Sequence, residues 1–155
     1  IKELTARMDG YREGITEAGG KFLDNETQYA NATADLAVTA MEGIMSKFPD
    51  GVAIICSNND DMALAAARTA KENPNYAKTI FLGFDGQKSA CEAVAAGELT
   101  MTAAQNNFDI GYKAVETMVK ILKGEQYDKV VDTGTEIITK DNAEARLTKF
   151  NEWMK

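Results

Sequence analysis

Histidine does not occur in the 155 residues. Its absence excludes the serine and cysteine triads that need an imidazole base, and every histidine-ligated metal site. Cysteine occurs only at Cys56 and Cys91, which is no disulfide framework, and no CxxC or Cys/His cluster offers zinc a site. Both read as small buried apolar residues. No apolar run approaches the roughly 20 residues of a membrane span. Positive charge is also short, with 17 Lys and Arg against 24 Asp and Glu for a net charge of −7. There is no basic stripe to track phosphates, so nucleic acid is not an expected partner. The chain opens at Ile1 without a methionine or signal peptide, as a processed product or a piece would.

What is present is ordinary for a soluble globular chain, with 45% hydrophobic and 26% charged residues. The length fits one domain or a large lobe with a real core. The central stretch is 52–66. An apolar run (Val52, Ala53, Ile54, Ile55, Cys56) breaks into Ser57, Asn58, Asn59, Asp60, Asp61 and resumes at Met62, Ala63, Leu64. It reads as strand, polar turn and helix. Asn59 suits an N-cap, and Asp60 and Asp61 suit a first helical turn, at the positive end of its dipole. Capping accounts for all three, yet Asn59 can cap and still face a ligand. In open parallel α/β sheets, ligands bind beyond such strand ends.

Before this stretch, apolar spacing predicts a helix over 5–18 stopped by Gly19 and Gly20, with Arg7 in its first turn. A brief strand is expected over 21–23, and a second amphipathic helix over 33–47. After it, the helix from Asp60 should stop near Glu72, before Asn73 and Pro74. A buried strand over 79–84 ends in Asp85 and Gly86, and a short helix to Ala96 is closed by Gly97. A strand over 99–104 leads to Gln105, Asn106 and Asn107. A helix with Phe108, Val115, Met118, Val119 and Leu122 inward then runs to Gly124. A β-like stretch over 130–138 and a helix over 141–153 complete the chain. Alternating strands and helices imply an α/β fold of right-handed βαβ units, a parallel sheet flanked by helices on both faces. Three successive strand ends deliver Asn59, Asp85 and Gln105 to one rim.

With those residues laid out, the chain resembles the C-terminal part of the ribose- and galactose-binding proteins of bacterial ABC transporters, the type I periplasmic binding fold. The likeness lies in Arg7, Gly10 and Tyr11; in Asn58 to Ala63; in Gly83, Phe84, Asp85 and Gly86; and in Ala104 and Gln105 leading to Ile110 and Gly111. It implies one lobe of a two-lobe fold: residues 1–104 as the C-terminal lobe lacking its first strand, 105–129 as the crossover and a helix of the N-terminal lobe, and 130–155 as the last strand region and terminal helix. It also implies that Arg7, Asn59, Asp85 and Gln105 bind a sugar or polyol, with no catalysis, metal or cofactor. Arg7 would donate to hydroxyls, Asn59 donate and accept, and Asp85 accept from two. Such charged hydrogen bonds contribute about 1.5 to 3 kcal/mol each. The implied partners are an ABC-transporter membrane permease and a missing N-terminal segment, or second chain fragment, that supplies the absent strand. The implied location is periplasmic, or extracellular and anchored to a membrane through an absent N-terminus. One departure stands out: where the family has an aromatic ring to stack on the sugar, this chain has Ala32.

Two rival readings exist. The sugar-sensing core of a lac-repressor-type regulator shares the lobe architecture, although residues 136–142 look more like the transport proteins. A magnesium-dependent phosphoryl-transfer enzyme would use Asp60, Asp61, Asp85 and Lys88. No second acid follows Asp85, however, and no glycine-rich phosphate loop opens a helix.

Overall fold

The fold is described from a computed structural model covering residues 2–153. Ile1, Met154 and Lys155, which close the expected segments 1–104 and 130–155, lie outside the described residues. Six helices and four strands follow one another as α1 (Lys2–Glu17), α2 (Ala34–Lys47), β1 (Ile54–Cys56), α3 (Asp60–Ala70), β2 (Ile80–Asp85), α4 (Lys88–Ala96), β3 (Met101–Gln105), α5 (Asn107–Lys123), β4 (Thr135–Ile138) and α6 (Ala143–Trp153).

The helix ends follow from local chemistry. Asn59 caps α3 by accepting from the Met62 amide at 2.9 Å. Gly97 and Gly124 end α4 and α5 in the left-handed conformation. Asn73 accepts from the Asn75 amide and starts the Pro74–Tyr76 turn that separates α3 from β2.

The strands lie in the order β1-β2-β3-β4. β1, β2 and β3 are parallel, with Ile54 opposite Ile80 and Leu82 opposite Met101. β4 is antiparallel to β3, with Gln105 opposite Thr135 and Thr102 opposite Ile138. The α/β class stands, but the sheet is mixed rather than parallel throughout. The reason lies in α5, which buries none of its residues and so does not return along the sheet as a crossover helix would. The chain comes back to the rim it left, and β4 must run away from it.

Alternate residues of β2 face opposite sides of the sheet. Gly83 faces Asp60 and Ala63 of α3, and its neighbour Phe84 lies under Arg7 of α1. The core forms where α3 meets β2, α2 meets α3 and α6 meets α4. Met41, Leu64, Phe81, Val94 and Ile138 are buried there.

Two expectations fail. Residues 21–23 form no strand and run into a turn at Asp24–Glu26. A strand exists only through pairing, and a groove separates Phe22 and Leu23 from β1. The apolar face of α5 does not point inward either. Val115 is 66% and Leu122 79% exposed, and Met118, Val119 and Phe108 are also exposed, Phe108 with one side of its ring stacked on Trp153 of α6.

Candidate functional site

The carboxyl ends of β2 and β3 meet α1 at one rim. Asp85 ends β2 with φ of +111°, a conformation that side chains other than glycine rarely adopt. Gln105 ends β3 and donates from Nε2 to Asp85 Oδ1 at 2.7 Å. Arg7 approaches the same oxygen at 3.4 Å, and its guanidinium carbon stands 3.7 Å from the centre of the Phe84 ring. It also donates to the Asn58 carbonyl at 2.7 Å, while Asn58 donates back to the Leu4 carbonyl at 3.2 Å. These bonds seat the start of α1 on the end of β1.

Three of the four residues singled out from the sequence therefore touch one another: Arg7, Asp85 and Gln105. Asn59 lies beside them through Asn58, with its amide engaged at both ends. Its oxygen caps α3, and Nδ2 donates to the Ala32 carbonyl at 3.2 Å. One donor and one acceptor position remain. Asn31 and Ala32 both have positive φ, 47° and 60°. The loop tied to Asn59 carries Ala32, the position without an aromatic ring, with the exposed Tyr29 three residues before it.

Arg7 and Gln105 border an open depression of about 410 Å³, with Phe84, Ile110 and residues 132–135 as its other walls. Asp132 and Asn106 were not foreseen. Asn106 donates from Nδ2 to the Thr133 carbonyl, and Asp132 accepts from the Gly134 amide, each at 2.7 Å. Together they hold the 132–135 turn against the end of β3. The run Asp132, Thr133, Gly134 carries the composition of a turn, which was the available signal.

Asp60 stands in the first turn of α3 as expected, but it faces inward. It lies wholly buried, and its carboxylate accepts from the Thr102 hydroxyl at 2.6 Å and the Gln87 amide at 2.7 Å. Burial raises its pKa above the usual carboxylate value against those hydrogen bonds. Facing inward with its oxygens engaged, it cannot join Asp61 and Asp85 around a metal ion. Among the described residues, no group of three acidic or cysteine side chains is placed to hold one. Arg146 is a further surprise: it is buried, donates to the Gln105 carbonyl at 2.8 Å and lies beside the Phe150 and Trp153 rings. Cys91 is buried as expected and Cys56 half-buried; both are free thiols.

A donor (Arg7) and an amide (Gln105) line the depression, with an acceptor (Asp85) held between them and a second amide (Asn59) outside its lining, a set with the mixed donor and acceptor character of a polyhydroxylated ligand.

Residues 2–126 match the model of the periplasmic binding protein domain. The ribose import binding protein of Escherichia coli is 31% identical over 134 residues, covering 86% of this chain and 44% of that relative. The D-allose-binding periplasmic protein of the same organism is 32% identical over 121 residues, covering 76% of this chain and 39% of the relative. Among solved structures, an ABC transporter solute-binding protein from Mycobacterium smegmatis with bound glycerol is 34% identical with a TM-score of 0.66, covering 76% of this chain and 41% of that one. The Caulobacter myo-inositol binding protein bound to myo-inositol is 28% identical with a TM-score of 0.68, covering 77% and 42%. The chain spans less than half the length of these relatives. Matched over most of its own residues by that domain and by sugar-binding relatives, the chain belongs to the periplasmic binding protein family.

Proposed function

We propose that this chain forms one wall of a sugar- or polyol-binding cleft in the solute-binding component of an ABC transporter, working outside the cytoplasmic membrane and delivering its ligand to a membrane permease. The observation that carries this reading is the meeting of Arg7 and Gln105 on a single oxygen of Asp85 at the edge of an open depression. Asn59 contributes its remaining donor and acceptor. In this reading the site binds and releases its ligand unchanged, with no catalytic residue. Names of relatives that specify ribose, allose and fructose support the ligand class.

The opposite wall belongs to a second lobe. Residues 1–104 form one lobe, the chain crosses at Gln105, α5 within 105–129 belongs to the other lobe, and 130–155 returns. The exposed apolar face of α5 supports this division. A strand N-terminal to Lys2 lies along the free edge of β1. The bonds from Ile80 N to Ala53 O and from Ser57 N to Leu82 O turn residues 53, 55 and 57 toward β2. The peptide groups of Ile54 and Cys56 therefore point the other way, into a groove of about 440 Å³ lined by Tyr11, Ile15, Phe22, Met41 and Ile44. Since α1 starts at the carboxyl end of β1, a strand parallel to β1 in that groove would lead directly into α1.

The test is calorimetric titration of a chain carrying both lobes with D-ribose, D-allose and myo-inositol. Saturable one-to-one binding of at least one is expected. No heat and no thermal stabilisation with any of a wider panel of pentoses, hexoses and polyols would overturn the reading.

A further inference from the structure

Asp60 and Asp61 are identical neighbours at the start of α3, yet one is fully buried and the other exposed. Helix capping does not explain the buried one, because Asn59 already accepts from the Met62 amide. The carboxylate of Asp60 turns away from its own helix. Oδ2 accepts from the Gln87 amide at 2.7 Å, and Oδ1 accepts from Thr102 Oγ1 at 2.6 Å. Thr102, itself fully buried on β3, accepts in turn from the Gly86 amide at 3.3 Å. A hydroxyl has one proton, so accepting from Gly86 leaves it to donate to Asp60, and the direction of the relay is fixed. The two amides that follow Asp85 thus both end on one carboxylate, one directly and one through a hydroxyl.

We infer that Asp60 is a positioning residue for the cleft: it fixes the turn over residues 85–87 and thereby aims the Asp85 carboxylate at Arg7 and Gln105. Asp85 needs such a hold, since a residue with a side chain keeps φ of +111° only where its surroundings impose it. The sequence clears the space. A Cβ at Gly83 would overlap Asp60 Oδ1, and one at Gly86 would overlap Ala104. A buried carboxylate is costly unless fully hydrogen-bonded, and here both its oxygens serve the segment that carries Asp85.

The inference rests on the cleft reading for its effect on sugar, but not for its effect on Asp85, and the experiment separates the two. Asp60→Asn, Thr102→Val and Thr102→Ser are placed in a chain carrying both lobes. The Gly86 and Gln87 amide resonances and the chemical shift of the Asp85 carboxyl carbon at one pH are followed by NMR without sugar. Binding of D-ribose, D-allose and myo-inositol is then followed by calorimetry. Asp60→Asn sets an NH2 group against one of the two donors, and Thr102→Val removes the relay at constant volume. Both should shift the amide and Asp85 carboxyl resonances and weaken the wild-type ligand at least about tenfold, the scale of one charged hydrogen bond. Thr102→Ser should behave as the wild type. If Asp60→Asn does not fold, Thr102→Val carries the test. An Asp85 carboxyl resonance unchanged in Thr102→Val would overturn the inference, as would unchanged affinity for a sugar that the wild type binds. A wild type that binds none of the three counts against the cleft reading alone, and the sugar-free spectra still decide the role of Asp60.

Discussion

Gln105 and Asp85 end neighbouring strands, and the amide of one donates to the carboxylate of the other at 2.7 Å. Because β2 and β3 are parallel with Asp85 opposite Ala104, the two side chains reach the rim one residue apart in register. Arg7 arrives from a helix outside the sheet and shares the same Asp85 oxygen. Oδ1 thus serves the protein, and Oδ2 makes no hydrogen bond to another described residue.

Asp85 should separate binding from stability. Asp85→Ala, in a chain carrying both lobes, removes an acceptor of charged hydrogen bonds. Sugar affinity should fall by at least about 1.5 kcal/mol, or tenfold and more, with little loss of fold. Asp85→Gly should lose affinity equally and yet melt higher, because glycine relieves the +111° φ, a gain of about 1 kcal/mol. Calorimetry and thermal melts measure both. A variant that binds as the wild type does would remove Asp85 from the site.

Gly83 should tolerate no side chain. Gly83→Ala places a methyl against Asp60 Oδ1 and within 3.3 Å of the Ala63 methyl. Overpacking of this kind costs about 1 to 3 kcal/mol. Chemical denaturation should show it, whereas Gly43→Ala, with open space around it, should be neutral or stabilising.

Alkaline pH should unfold the chain through its thiols. Burial pushes Cys91, and likewise Cys56, up to about 11 from a usual value of 9.0. The folded state holds these protons more tightly than the unfolded state does. Their contribution is present in full below pH 9 and is lost as pH rises through about 11. For the fully buried Cys91 it amounts to about 3 kcal/mol. Cys91→Ala should flatten the dependence of melting temperature on pH between 9 and 11, and an unchanged slope would count against this assignment.

The groove beside β1 should be filled by the chain's own upstream strand. Residues 1–155 alone are expected to melt broadly and to bind an apolar dye in the groove. Extending the chain upstream by one strand should sharpen the melt and abolish dye binding, since unpaired backbone groups and exposed apolar surface are removed together. Cooperative monomeric melting of residues 1–155 would disprove it. Restoration of cooperativity by a separate fragment or by dimerisation would identify the same groove with a different occupant.

The helices and most of the strands could be read from the sequence because their signals are local. The 3.6-residue spacing in α1 and α2, the β-branched run at β1, the cap at Asn59 and the glycine stops at Gly97 and Gly124 each depend on a few neighbouring residues. Convergence of Asp85 and Gln105 could be read because parallel strands with helical crossovers place their carboxyl ends on one side.

Spacing could not show what a surface faces. The apolar face of α5 has a helical period whether it meets this lobe or another, and in the structure it stays exposed, with Phe108 stacked on Trp153 at its start. Phe22 and Leu23 have strand-like residues but no strand beside them, so they form none. β4 pairs antiparallel because of where α5 releases the chain, a fact no local pattern carries.

By itself, then, the sequence determined the order of elements, their ends and which polar residues stand at the strand ends, all set by short-range backbone and turn chemistry. Only the tertiary structure decided between Asp60 and Asp61. It buried the first under Thr102 and Gln87 and left the second in solvent, because the hydrogen-bond partners that make a buried carboxylate tolerable come from β3 and the turn that opens α4, 42 and 27 residues away.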